Sequence, residues 1–89
     1  MLTAVGNELK VLQLLAENLA LCGYEMMRED ATLKRGGMYV VLDRMETAGL
    51  IEGKFEARKG VSGRGVKVYR LKTEGALKLR KTMAALATA

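Results

Sequence analysis

Eighty-nine residues leave room for one small domain and not for two. The chain has no histidine and one cysteine, Cys22, which excludes histidine acid–base catalysis, histidine metal ligation and any disulfide within the chain. The formal charge of +5 is unevenly spread: residues 1–33 set Lys10 and Arg28 against Glu8, Glu17, Glu25, Glu29 and Asp30, a net of −3. Residues 34–72 set ten cations against Asp43, Glu46, Glu52 and Glu56, a net of +6, and residues 73–89 add Lys78, Arg80 and Lys81 against Glu74, a net of +2. Arg58, Lys59, Arg64, Lys67, Arg70 and Lys72 follow one another with no acidic residue between them. A molecule polarised in this way presents one face to a polyanion and turns the other away. No apolar run approaches the roughly 18 residues of a membrane span, and the amino end lacks the charged-then-apolar order of a signal peptide. A lone cysteine suits a reducing compartment, so a cytoplasmic protein without membrane contact is expected.

In chain order, residues 3–19 carry apolar side chains at helical spacing, with Val5, Leu9, Leu12, Ala16 and Leu19 as one stripe. Val11, Leu14 and Leu15 widen it until most of the helix girth is apolar, which predicts burial on more than one side. In so small a domain the second side is expected to meet another subunit. Cys22-Gly23 reads as a break, with Cys22 a small core residue, and residues 24–30 as a short second helix supplying Met26 and Met27 to the core. Glu29 and Asp30 oppose its extension, because anions sit badly at a helix carboxyl end. Residues 34–37 read as a turn and 37–48 as the third helix. At about 100° per residue, Met38, Val41, Leu42 and Met45 form its core stripe, while Val40, Asp43, Arg44 and Thr47 face away and Tyr39 lies on the flank. Gly49 stops the helix.

Residues 50–58 and 66–72 read as strands around a basic, glycine-rich loop at 59–65, with Ile51, Phe55, Tyr69 and Leu71 turned inward. Thr73 and Glu74 start a last helix whose Leu79, Met83 and Leu86 recur at i, i+4 and i+7. The expected fold is mainly α with a two-stranded β-hairpin (α+β), a winged helix-turn-helix of order α-α-α-β-β-α. Residues 1–89 form a single DNA-binding domain, with residues 73–89 serving dimerisation.

That order, and the residues that carry it, resemble the PadR family of winged-helix transcriptional regulators. Leu14-Leu15 and Gly23-Tyr24-Glu25 look like the family's first helix and the opening of its second. Gly36-Gly37-Met38-Tyr39 with Leu42, Arg44-Met45-Glu46 and Gly49-Leu50-Ile51 is similar to the family's recognition helix. Gly63-Arg64 followed by Tyr69-Arg70-Leu71 and Gly75 resembles its wing and wing exit. Gly37 stands where the family prefers threonine, Gly65-Val66 replace a proline and a basic residue, and the last helix is shorter than in long members. The resemblance implies a phosphate contact from the Tyr39 hydroxyl, Tyr39 otherwise covering the hairpin. Family members bind aromatic or drug-like effectors between subunits. A chain with no tryptophan and one phenylalanine offers no support for such a small-molecule effector pocket.

The expected DNA-binding residues fall into three groups. Lys34 and Arg35, with the amides of Gly36 and Gly37, make a phosphate seat at a helix amino end, or else a plain glycine turn. On the outward helix face Val40 suits a thymine methyl, Arg44 a guanine edge and Asp43 a cytosine amine, the alternative being Arg44 paired with Glu46 or Asp43 on the surface. On the wing, Arg64 suits a narrow minor groove, and Arg58, Lys59 and Lys67 suit phosphates. Leu9, Leu12, Leu79, Met83 and Leu86 are the expected dimer contacts. The partners expected are double-stranded DNA and a second copy of the chain, with no cofactor and no metal. Together these predict a sequence-specific regulator, a repressor acting as a dimer. The alternative is a winged-helix module that docks on another protein through the same charge. An enzyme ranks last, since no nucleophile–base pair or metal-ligand cluster is visible.

Overall fold

Four helices and three short strands make up the described part of the chain. The computed structural model describes residues 6–57 and 65–88. The elements run α1 (Gly6–Glu17), β1 (Leu21–Cys22), α2 (Gly23–Glu29), α3 (Arg35–Thr47), β2 (Ile51–Glu56), β3 (Val66–Leu71) and α4 (Thr73–Ala87). This is the expected winged helix-turn-helix order with one addition. Leu21 and Cys22 pair antiparallel with Tyr69 and Val68, so the sheet has three strands in the order β1-β3-β2. Two residues are too few for alternation to register in a sequence, where Cys22-Gly23 reads as a break.

The core lies between α1, α2, α3 and the sheet. Its fully buried members include Val11, Leu12, Met26, Met38, Leu42, Ile51 and Val68. Cys22 is buried beside them, and its backbone N–H donates to Glu25 Oε1 at 2.8 Å, so the first turn of α2 is closed by its own carboxylate. The inward face of α1 is centred on Val11, Leu12 and Leu15. The expected stripe through Ala16 and Leu19 is corrected: Ala16 is exposed, and Leu19 lies beyond the helix end and points into solvent. Helical spacing stops where the helix stops, at Glu17.

The turn between α2 and α3 occupies residues 30–34, earlier than expected. Asp30 Oδ1 accepts from the Thr32 backbone N–H at 2.9 Å, Leu33 N donates to Asp30 O at 3.1 Å, and the Leu33 side chain plugs into the core. The Thr32 hydrogen bonds hold the Asp30 carboxyl below its ordinary pKa. With the reversal done there, α3 begins at Arg35. Its carboxyl end is a complete Schellman motif. Gly49 at φ +80° donates to Glu46 O, and Leu50 N donates to Met45 O, both at 3.0 Å. Leu50 is thereby delivered to the start of β2.

In the hairpin Ile51 pairs with Leu71, Gly53 with Tyr69 and Phe55 with Lys67. Ile51 and Tyr69 are buried and Leu71 is half-buried, as expected, but Phe55 is 77% exposed. Alternation gives Phe55 the correct face; it cannot tell that the hairpin outruns the core beneath it. Helix α4 packs Gly75 on the Leu50 carbonyl and Leu79 on the core, and Lys78 reaches Glu8 of α1 at 2.6 Å. No helix among the described residues is long and apolar enough to cross a membrane, and they contain no group of three or more potential His, Cys, Asp or Glu metal ligands.

Candidate nucleic-acid interface

Helix α3 buries Met38, Leu42 and Met45, and that anchorage turns its other side outward. Val40 (55% exposed), Asp43, Arg44 and Thr47 are all on the surface, as the helical spacing predicts. At the amino end, Lys34 is the cap residue and Lys34, Arg35, Gly36 and Gly37 are all exposed. The first amides of a helix have no intrahelical acceptor, and the dipole adds positive potential there, so this end can hold an anion. Lys34 and Arg35 bracket those amides.

Tyr39 lies where it spans two elements. Its hydroxyl end rests on Gly23 so closely that a Cβ there would sit 2.3 Å from the oxygen. Tyr39 therefore ties α3 to the start of α2, a contact between distant segments that spacing within either one does not encode. The aromatic face of Tyr69 lies under Lys67, whose Nζ stands 5.6 Å from the ring centroid. Burial pushes the Tyr69 phenol above its usual pKa.

Among the described residues an ion pair joins the hairpin to α3: Lys67 Nζ donates to Glu46 Oε1 at 2.8 Å. That hydrogen bond raises the Lys67 pKa above the usual lysine value, so the ammonium is charged throughout the neutral range. Lys67 was expected to be a phosphate contact; in the structure it first braces the hairpin against the last turn of α3. The expected surface alternative of Arg44 with Glu46 gives way to this pair. A second cation of the basic run is also engaged. Arg70 forms a two-pronged contact with Glu56 across the hairpin, at 2.6 and 3.1 Å, which raises its pKa as well. The net charge of the run therefore overstates the cations at hand for a polyanion. Among the described residues of 34–72, the exposed cations are Lys34, Arg35, Arg44, Lys54 and Lys72. Arg58, Lys59 and Arg64 lie outside the described residues.

The five expected dimer contacts divide. Met83 (44% exposed) and Leu86 (56% exposed) lie open on α4, joined by Leu77. Leu9 and Leu79 are half-buried against the core. Leu12 is fully buried inside this chain, so it is withdrawn as a contact with another copy: α1 spends that side chain on its own core.

No family model matches the chain, and no curated protein does. Solved structures do. A PadR family transcription regulator from Clostridium difficile R20291 superposes with a TM-score of 0.75 at 27% identity, over 92% of this chain and 88% of its own. A PadR family transcriptional regulator from Eggerthella lenta gives 0.70 at 27% identity, over 90% and 67%. A PadR-like transcriptional regulator from Bacillus cereus gives 0.75 at 24% identity, over 91% and 81%. All three are described as transcriptional regulators. The chain thus has the PadR-like winged-helix fold, the one its glycine–tyrosine–glutamate, recognition-helix and wing-exit segments resemble.

Proposed function

We propose that this chain is a transcriptional regulator that binds particular sites on double-stranded DNA, with α3 in the major groove and the hairpin along the neighbouring backbone. The observation that carries the reading is the outward face of α3: Val40, Asp43, Arg44 and Thr47 exposed together, with the uncapped, cation-flanked amino end beside them. A helix of 13 residues fits the major groove, and an arginine on its outward side has the reach and the paired donors to read guanine. Occupying a site that a polymerase needs is enough to repress, so repression is the mode that asks least of so small a protein. Such a role places it in the cytoplasm.

Sites selected from a random DNA pool supply the test. Arg44→Ala should leave folding unchanged and relax preference at one base pair, worth about 1–3 kcal/mol of discrimination. Binding curves on a selected duplex and its scrambled counterpart measure this. Equal weakening on both would make Arg44 a phosphate contact and remove it as a base reader.

The same reading includes a dimer held through α4. Leu77, Met83 and Leu86 present apolar surface that is exposed among the described residues, and a two-fold pair buries the same patch from both sides. Met83→Glu should shift sedimentation at micromolar concentration toward the monomer, because it places a carboxylate in that patch while leaving the core intact. A wild-type chain that sediments as a monomer would contradict the dimer.

A further inference from the structure

The only phenylalanine of the chain is its most exposed aromatic residue, and the register of the hairpin says which way it faces. A single exposed apolar side chain needs no explanation. Phe55 has three further attributes. It is directly opposite Lys67, so the two side chains stand on the same face of the hairpin, about 5 Å apart at Cβ. Lys67 is fastened to Glu46 of α3, which fixes that face as the one turned toward the recognition helix. Lys54, the neighbour of Phe55, is also exposed, on the opposite face of the strand. Phe55 therefore stands exposed on the side of the hairpin turned toward α3, the face it shares with Lys67.

Resting on the DNA-binding reading, we propose that Phe55 packs on the deoxyribose rings of the DNA strand that runs between α3 and the wing. A helix in the major groove and a hairpin along the next groove must straddle one sugar–phosphate strand. That strand is charged at its phosphates and apolar at the C–H faces of its sugars. The two elements offer the matching parts, exposed cations at Lys34, Arg35 and Arg44 on the α3 side and an exposed apolar ring on the hairpin side. Of the nearby aromatic rings, Tyr39 rests its hydroxyl end on Gly23, and Tyr69 is buried. A ribose 2′-hydroxyl would place a polar group against the ring, so the contact favours DNA over RNA.

The test is Phe55→Ala on a mixed-sequence DNA duplex over a salt series. An apolar contact carries no counterions, so the affinity of the variant should fall about tenfold at every salt concentration, with the logarithmic salt slope unchanged. Phe55→Leu should recover part of the loss. In both variants the thermal midpoint should stay at the wild-type value, since the side chain lies outside the core. Wild-type affinity in Phe55→Ala would overturn the contact while leaving DNA binding in place. A loss that comes with a shallower slope would also overturn it, since that marks a disturbed cation. No binding by the wild-type chain itself would remove the DNA-binding reading, and this contact with it.

Discussion

Replacing Gly75 with alanine should destabilise the fold by about 3 kcal/mol, although alanine is the better helix former. A Cβ on Gly75 would lie 2.1 Å from the Leu50 carbonyl oxygen and 2.8 Å from Leu71 Cδ1. The oxygen cannot move aside freely, because it accepts the Lys72 N–H at 3.0 Å and belongs to the residue that leads from α3 into β2. The first turn of α4, the α3–β2 junction and the end of β3 meet at this one point. Pushing α4 outward also uncovers Leu79. The propensity gain of about 1 kcal/mol is smaller than the cost of moving three elements. For a domain of this length the midpoint of thermal unfolding should drop by roughly 15 °C. Gly36→Ala is the control. Nothing lies within 4 Å of a Cβ there, and α3 should gain slightly. Equal melting of both variants would show that Gly75 is not a packing constraint.

Reversing charge at the start of α3 should have the largest effect on binding. Lys34→Glu with Arg35→Glu removes two cations beside the helix amides and adds two anions, so affinity for duplex DNA should fall about a hundredfold at moderate salt. The fold should tolerate the change. Both side chains are exposed, and carboxylates at a helix amino end interact favourably with the dipole. A variant that melts at or above the wild-type temperature yet binds far more weakly separates the phosphate seat from stability. Unchanged binding would move the DNA surface away from the amino end of α3.

Most of the architecture was legible in the sequence because it rests on local rules. The spacing of Met38, Leu42 and Met45 gave α3 its inner face, and Gly49 gave its end. Strand β1 was not legible, because its identity comes from Val68 and Tyr69, almost fifty residues away. The fate of Phe55 depended on how far the core extends under the hairpin, which alternation does not encode. Leu12 looked available to a second subunit because a helical stripe shows which residues are apolar, not which neighbour covers them. In the site, outward residues of α3 follow from the inward ones. The pairing of Lys67 with Glu46 and of Arg70 with Glu56 does not, since it depends on the register of the hairpin and the approach of α3. The bare charge count of the basic run concealed both pairs.

The most direct measurement is the affinity of the wild-type chain for a mixed-sequence DNA duplex across a salt series, with the Lys34→Glu, Arg35→Glu variant beside it. With roughly four to six phosphate contacts per subunit, the logarithm of affinity should fall by about 0.9 per contact for each decade of salt. The variant should give a line shallower by about 1.8, the share of two contacts. A flat response in the wild type, or no binding at low salt, would contradict a DNA-binding function and leave the basic face to an acidic protein partner.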